Sequence, residues 1–311
     1  KESIYSRYVR VKNEEGLNIK SIMIVCQQPS NPDTILTTFE IKNSDHIIFI
    51  DKTAFNDSLY HFIPEEMKSW TYLSIPDDGS NPIDQYVKTD YSIRNNEIVF
   101  GRGSSFGKCP RNILAPFDKI RVSGRKKFVI VGVPRRRNWL SNIIKERTDV
   151  VTYPLIAFNE WMSLANSFDI GLYILPSNAH SSIDGTLGQM MRIGLPVIVG
   201  GAPAPKERIV HGVNGFIADT VPEMIHYAEM LANDQTLREK IGKNARQSTL
   251  DLNSKSWIDK LERIIKDIFC SNEEIEVSIP LPAKLKINTI YVVSLIEALM
   301  VRPVSKILNK K

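Results

Sequence analysis

Short apolar runs rich in β-branched residues alternate with helical patterns from about residue 20 to residue 270 of the chain. Most of these runs are continuous rather than alternating, which is the pattern of strands covered on both faces. The alternation of strands and helices predicts an α/β fold with parallel sheets. The predicted strands are Ser21–Cys26, His46–Ile50, Trp70–Ser74, Glu97–Phe100, Phe128–Val131, Asp149–Thr152, Asp169–Leu175 and Pro196–Val199.

A stretch of turn-forming and polar residues, Pro76–Asn96, predicts a hinge between two domains. It divides the chain into residues 1–96, a partial N-terminal domain with its linker, and residues 97–270, a C-terminal domain. Residues 271–311 form a tail of different character.

The region before the hinge is short for a full dinucleotide-binding type of domain, and its first strand is not followed by a glycine-rich loop. The chain also starts with Lys1 rather than methionine. We therefore expect either missing amino-terminal sequence or a reduced first domain.

Helical patterns dominate after Thr220. Pro222 suits the first turn of a helix, Leu237, Ile241 and Ala245 recur at a spacing of four, and Ser254 is the expected cap of the last helix. In the tail, the apolar run at residues 287–301 is flanked by lysines and is too short to span a bilayer. It is interpreted as a helix docked on the body or on a partner, with peripheral membrane contact as the alternative.

The charge balance is mildly basic, because the 311 residues hold 40 Lys and Arg against 35 Asp and Glu, a net charge of +5. This excess suits phosphate-bearing ligands or an anionic membrane surface, but it is too weak to indicate a nucleic-acid partner. The three cysteines are far apart and form no metal-binding or disulfide pattern. We therefore expect a reducing, cytoplasmic location. No carboxylate or histidine cluster has the spacing of metal ligands, so we expect no metal. We also expect no cofactor.

Two segments carry candidate chemistry. The strand that ends near Gly101 is followed by a glycine- and serine-rich turn in which Arg102 and Lys108 could bind phosphate oxygens. A second strand leads through a polar loop into a helix with Gly185, Thr186 and Leu187 in its first turn. The amides and the dipole at such a helix start make an anion site, so a diphosphate there would also face the two cations if the strand ends are neighbours.

The chain carries several short motifs in a fixed order: Ser74-Ile-Pro-Asp-Asp-Gly79, Gly101-Arg102 with Lys108, Leu175-Pro-Ser177, Gly194-Leu-Pro-Val-Ile198, Gly200-Gly201 and His211-Gly-Val-Asn-Gly-Phe216. In this order and spacing they resemble the carboxyl domain of the retaining "glycosyl transferases group 1" family, which has the GT-B fold of two Rossmann-like domains. The resemblance covers roughly residues 45–270. From this resemblance we expect an α/β, GT-B-like protein whose N-terminal domain is incomplete.

The resemblance implies transfer of a sugar from a nucleotide-sugar donor, with retention, to a glycan, lipid-linked or protein acceptor. Arg102 and Lys108 would stabilise the leaving diphosphate, assisted by the amides of Gly185, Thr186 and Leu187. The base would lie near Thr152-Tyr-Pro154.

The sequence departs from the family at its usual glutamate pair. These positions hold Ser181, or His180 if the loop has an insertion, and Gln189. Gln189 can still hydrogen-bond to ribose hydroxyls without charge, and Asp184 is a candidate replacement for the first carboxylate. The departure keeps a non-catalytic binding or partner subunit open as an alternative, followed by an epimerase or another phosphate-binding α/β protein.

Overall fold

Two parallel sheets, each in its own compact unit, form the framework of the protein. The computed structural model describes residues 22–25, 36, 38–75, 86, 97–103, 110, 112–133, 140, 144, 146–177, 185–270 and 280. One unit comprises Lys1–Tyr72 together with Asp259–Lys311, and the other comprises Leu73–Ile258. These limits differ from the division at residues 96 and 270 drawn from the sequence, which stays a prediction.

The first unit contains a three-stranded parallel sheet in the order β1-β2-β3 among its described residues. Its core includes the fully buried side chains of Ile41, Ile47, Phe49 and Tyr60. Its elements are β1 (Ile22–Val25), α1 (Thr38–Lys42), β2 (His46–Phe49), α2 (Lys52–Phe55), two short 3₁₀ turns (Ser58–Tyr60 and Glu65–Met67) and β3 (Lys68–Trp70).

The predicted strand Trp70–Ser74 is wrong in its position, because β3 occupies Lys68–Trp70. The apolar pattern excluded Lys68, yet its side chain is buried in the structure. Its ammonium forms an ion pair with Glu65 at 2.9 Å and lies 4.9 Å from the ring centroid of Phe55. A paired lysine can therefore occupy a strand position that hydrophobicity alone leaves outside the strand.

The second unit contains a six-stranded parallel sheet in the order β6-β5-β4-β7-β8-β9. Counted from β4, this is the order 3-2-1-4-5-6 of doubly wound nucleotide-binding sheets. Its elements are β4 (Glu97–Gly103), α3 (Leu114–Lys119), β5 (Arg125–Val131), β6 (Val150–Tyr153), α4 (Phe158–Asn166), β7 (Ile170–Ile174), α5 (Gly185–Arg192), β8 (Val197–Gly200), α6 (Pro203–Lys206), β9 (Phe216–Ile217), α7 (Val221–Asn233) and α8 (Gln235–Gln247). The helix α9 (Ser254–Cys270) follows them and continues into the first unit.

Buried side chains cover both faces of this sheet. Phe100, Phe117, Phe128 and Ile241 belong to one apolar cluster, and a second cluster, which includes Met190, forms on the other face. Covering on both faces explains why the strands are continuous apolar runs, as the sequence predicted.

The predicted start of the helical region is confirmed. The hydroxyl of Thr220 accepts a hydrogen bond from the Glu223 amide, the Glu223 carboxylate accepts one from the Thr220 amide, and Pro222 lies in the first turn. At α9 the cap is Asn253 rather than Ser254, because its side-chain oxygen accepts the Ser256 amide at 2.9 Å. An asparagine bonds to the backbone as readily as a serine, so the residue type could not separate the two.

None of the helices in the described ranges is long and apolar enough to cross a membrane.

Lys126 closes the carboxyl end of α3. Its ammonium donates to the main-chain oxygens of Phe117, Asp118 and Ile120 at 2.6, 3.0 and 2.7 Å. Burial lowers the pKa of Lys126, and Asp118 partly opposes that effect. The side chain thus adds charged hydrogen bonds to carbonyl groups at the helix end, where regular helical hydrogen bonds run out.

We expect Lys126→Met to lower the free energy of unfolding by about 2 kcal/mol, because charged hydrogen bonds to the three carbonyls are lost. Lys127→Met is the matched control. That neighbouring lysine forms a half-exposed ion pair with Glu97 at 3.1 Å, which should contribute less than about 1 kcal/mol. Denaturant unfolding of both variants checks this, and equal losses would contradict it.

Candidate functional site

The reversal of strand order between β4 and β7 positions the candidate site. The two strands are parallel neighbours, with Phe100 opposite Ile170 and Gly101 opposite Gly171. Their carboxyl ends therefore lie at the same edge of the sheet. In open α/β sheets, ligands bind outside this edge, where the connections diverge to opposite sides. The condition set for the predicted diphosphate site, that the two strand ends are neighbours, is met by the pairing of β4 with β7.

Two glycines let aromatic rings lie directly against β4. A Cβ atom on Gly101 would stand 1.8 Å from the ring of Phe168, and one on Gly103 would stand 2.5 Å from the ring of Trp161. The two rings contact each other edge to face, with centroids 6.0 Å apart. The same hypothetical Cβ on Gly103 would stand 2.9 Å from the Thr186 methyl group. The end of β4 therefore closely approaches the first turn of α5.

The three predicted residues of that first turn differ in burial. Gly185 is exposed, Thr186 is half-buried and Leu187 is fully buried in the core. Leu187 could therefore meet a ligand through its main chain only. The first amides of any α-helix lack partners within the helix and carry the positive end of its dipole. Their role as phosphate contacts stays a prediction.

Gln189 is held by a neighbour that the sequence did not reveal. The indole N–H of Trp161 donates to its side-chain oxygen at 2.8 Å, so the Gln189 amide group keeps two N–H donors for other partners. Trp161 is a core residue with 7% of its surface exposed. The sequence feature that could have indicated this hydrogen bond is the indole N–H of Trp161, because a buried tryptophan usually needs an acceptor for it.

Arg102 lies on β4 one residue before Gly103 and is fully buried. Side chains alternate along a strand, so Arg102 shares the face of Ile98 and Phe100, whereas Gly101 and Gly103 share the face of α4 and α5. The guanidinium and the α5 amides therefore belong to the same edge but to opposite faces of the sheet. The contact of Arg102 with a phosphate stays a prediction.

The other predicted residues of the polar loops, Lys108, Ser181, His180 and Asp184, lie outside the described part of the chain. In the described ranges, no group of three His, Cys, Asp or Glu side chains is arranged to hold a metal ion.

The predicted base-binding end of β6 belongs to the same edge of the sheet. The carbonyl of Tyr153 accepts the amides of Gly132 and Val133 at 3.0 and 2.9 Å, which ties this end to β5. The side chains of Tyr153 and Leu155 are 38% and 79% exposed. This part of the edge is therefore open to contact.

The motifs after β8 have structural roles. A Cβ on Gly201 would stand 1.7 Å from the carbonyl oxygen of Leu175, so the backbones approach too closely for any other residue. The side-chain nitrogen of Asn214 donates to the Arg208 carbonyl and to the Ser248 hydroxyl, each at 3.0 Å. Its side-chain oxygen accepts the main-chain N–H of Val210 at 2.7 Å. These bonds fix the turn that leads into β9.

Comparison with known proteins gives a consistent picture of the fold. No protein-family model matches the sequence, and no curated protein matches it either. Among solved structures, Anabaena HepE in complex with UDP-glucose is similar at 14% identity, with a TM-score of 0.65 over 85% of this chain and 77% of HepE. Sucrose-phosphate synthase from Thermosynechococcus elongatus is similar at 11% identity, with a TM-score of 0.65 over 85% of this chain and 72% of that one.

The lipopolysaccharide outer core galactosyltransferase WaaB is also similar, at 13% identity and a TM-score of 0.61 over 83% of this chain and 71% of WaaB. At such identities the similarity concerns the fold rather than the activity. The predicted fold class is confirmed, since the chain is an α/β protein with the parallel sheets of GT-B glycosyltransferase structures.

Proposed function

We propose that the protein is a glycosyltransferase that binds a nucleotide-sugar donor at the carboxyl edge of its six-stranded sheet. The observation that carries the proposal is the approach of Gly103, at the end of β4, to Thr186 in the first turn of α5. This approach occurs at the reversal of strand order, where doubly wound sheets bind nucleotides. A diphosphate in that position would meet the amino end of the helix dipole.

The comparisons support this choice of ligand. HepE has been solved in complex with UDP and with UDP-glucose, and it has the same fold. We therefore choose UDP and UDP-glucose as the probes for this chain. The acceptor in the proposal is a glycan, a lipid-linked saccharide or a protein, and transfer proceeds with retention.

The proposed chemistry is electrostatic. Cleavage of the bond between sugar and diphosphate leaves negative charge on the phosphate, and donors held in place before the reaction stabilise that charge. In the proposal, Lys108 and the first amides of α5 supply the positive potential at the phosphate, and the buried Arg102 adds to it from the other face of the same sheet edge. Gln189 donates to the ribose hydroxyls. The bond from Trp161 orients the Gln189 side chain, because the oxygen is occupied and the N–H groups face elsewhere.

The uncharged amide of Gln189 favours a second candidate, a binding subunit without turnover. A glutamine cannot provide the negative charge of the glutamate found in the resembled family. The same Trp161 bond would hold a carboxylate equally well, so the structure around position 189 does not require the amide.

The first test introduces a negative charge at Thr186. We expect Thr186→Asp to weaken UDP binding at least about tenfold, because a carboxylate in the first turn repels the diphosphate. It should leave the fold intact, because acidic residues in the first turn favour a helix. Thr186→Asn is the matched neutral control and should retain most of the affinity. Calorimetric titration with UDP checks both variants, and equal affinities of Asp and Asn would refute a phosphate site at this turn.

Turnover separates the two candidate functions. Release of glucose from UDP-glucose, suppressed in Thr186→Asp and retained in Thr186→Asn, would support the enzyme. Binding of UDP with the same dependence on Thr186, but with no sugar release or transfer, would support the binding subunit.

A further inference from the structure

Two segments near the ends of the second unit are hydrogen-bonded to each other inside that unit. The chain enters the unit just before Leu73 and leaves it just after Ile258. The amide of Ile75, in the entering segment (residues 73–75), donates to the carbonyl of Leu252 at 2.7 Å. Leu252 ends the leaving segment (residues 249–252), which lies between α8 and α9. The start and the end of the unit are therefore joined by a main-chain hydrogen bond.

The entering segment lies directly against α5, the helix whose first turn belongs to the proposed donor site. A Cβ atom on Gly188 of this helix would stand 2.9 Å from the side chain of Ile75 and 2.6 Å from the guanidinium of Arg208. The guanidinium of Arg208, which is buried, also donates to the carbonyl of Leu73 at 3.4 Å. The missing side chain at Gly188 thus lets the entering segment and Arg208 pack against the helix backbone.

The leaving segment holds the other end of α5. Arg192, the last residue of the helix, is buried, and its guanidinium donates to the carbonyls of Thr249 and Leu250 at 2.8 and 3.1 Å. The carbonyl of Arg192 in turn accepts a hydrogen bond from the guanidinium of Arg246 at 2.8 Å. Hydrogen bonds from charged donors are stronger than those between neutral groups. The carboxyl end of α5 is therefore firmly attached to the leaving segment.

The short length of α5 relates these attachments to the ligand. The helix has eight residues, Gly185–Arg192, so it is about 12 Å long at 1.5 Å per residue. Its first turn approaches Gly103 at the proposed donor site, while the rest is held by the two segments. A displacement of the held part therefore also moves the first turn. By linkage, a ligand that binds the first turn in its held position stabilises the attachments in return.

We propose that Ile75, Arg192 and Arg208 are positioning residues of the donor site. They hold α5 to the entering and leaving segments, so donor binding and the closed state of these segments stabilise each other. The inference rests on the proposed glycosyltransferase function and adds a way in which the donor site is regulated: whatever loosens these segments weakens donor binding.

Hydrogen exchange of the full chain, with and without UDP, tests the coupling. The Ile75 amide exchanges only when its bond to Leu252 opens. If UDP binds only the form in which α5 is held, UDP at a hundred times its Kd should slow this exchange about tenfold or more. The amides of Arg121 and Ser123 are the control, because they donate to side chains of α7 in the same unit, and their exchange should change less than about twofold. Unchanged exchange at Ile75, or equal slowing at all three amides, would overturn the inference.

The reciprocal effect is measured as UDP affinity. Ile75→Ala removes the side chain beside Gly188 but keeps the amide, and we expect UDP to bind about tenfold more weakly. Ile120→Ala is the matched control, since Ile120 is an equally buried isoleucine between α3 and β5 that belongs to the apolar cluster on the other face of the sheet. Its affinity for UDP should stay within about twofold of the original. Equal losses of affinity in the two variants would show a general effect of destabilisation and contradict the positioning role.

Arg192 provides a second, independent variant. Arg192→Met should weaken UDP binding by a similar factor, and Arg192→Lys, which keeps a charged donor for the Thr249 and Leu250 carbonyls, should restore part of the affinity. If Arg192→Met does not fold, Ile75→Ala decides the outcome. Failure of the unaltered chain to bind UDP would overturn the glycosyltransferase proposal together with this inference. Binding of UDP without an effect on Ile75 exchange would overturn this inference alone.

Discussion

Gly201→Ala is expected to cost the protein more than about 4 kcal/mol of stability. Two effects add at this position. Gly201 has a φ of +81°, a left-handed conformation that costs an L-residue roughly 1–2 kcal/mol. The new Cβ would also stand 1.7 Å from the carbonyl oxygen of Leu175, which is backbone and cannot rotate away. The Leu175 amide donates to the Gly200 carbonyl at 3.1 Å, so any shift disrupts the pairing of β7 with β8.

Gly212 provides the matched control for the conformational part of this cost. Its φ is +73°, nearly the same, but a Cβ there would meet nothing within 4 Å. Gly212→Ala should therefore cost only about 1 kcal/mol. Chemical denaturation followed by circular dichroism measures both variants. Similar midpoints would mean that the Leu175 backbone yields freely, and the argument from close approach would be wrong.

The strands of the second sheet could be predicted because the parallel sheet is buried on both faces. Runs such as residues 128–131 and 196–199 have no polar positions that would confuse their assignment. The pattern failed at Lys68, where an ion pair and a ring contact stabilise a charged residue inside a strand. Such compensation depends on residues that become neighbours only in the folded chain.

The neighbouring chain ends at the candidate site could be inferred from the sequence, but the side-chain contacts between them could not. The glycine at the end of β4 and the start of α5 could be brought together from topology, because parallel strands end at the same edge. The bond from Trp161 to Gln189 could not, since it joins residues 28 positions apart whose distance depends on how α4 packs on the sheet. The burial of Arg102 was likewise invisible in a turn-like sequence.

The second large effect is expected from Gly101→Ala. The added Cβ would stand 1.8–2.2 Å from three ring atoms of Phe168, a side chain with no exposed surface into which it could move. Overpacking of this kind costs about 3 kcal/mol. Because Phe168 also contacts Trp161, displacement of its ring should disturb the Trp161–Gln189 bond beside the proposed donor site. We therefore expect UDP affinity to fall in the fraction that remains folded.

Gly171 is the natural control for Gly101, because the two glycines are directly opposite in the β4–β7 ladder. A Cβ on Gly171 would meet only side-chain atoms at 3.0–3.3 Å, so Gly171→Ala should cost about 1 kcal/mol and leave UDP binding nearly unchanged.

Phe168→Leu should remove the clash at Gly101, because the smaller side chain makes room for the new methyl group. The double variant Gly101→Ala/Phe168→Leu should therefore lose about 1–2 kcal/mol less free energy of unfolding than the sum of the two single variants. Additive losses in thermal unfolding would show that the clash is not with Phe168. Recovery of UDP affinity in the double variant would in turn tie the packing under β4 to the geometry of the donor site, since neither substitution introduces a ligand contact of its own.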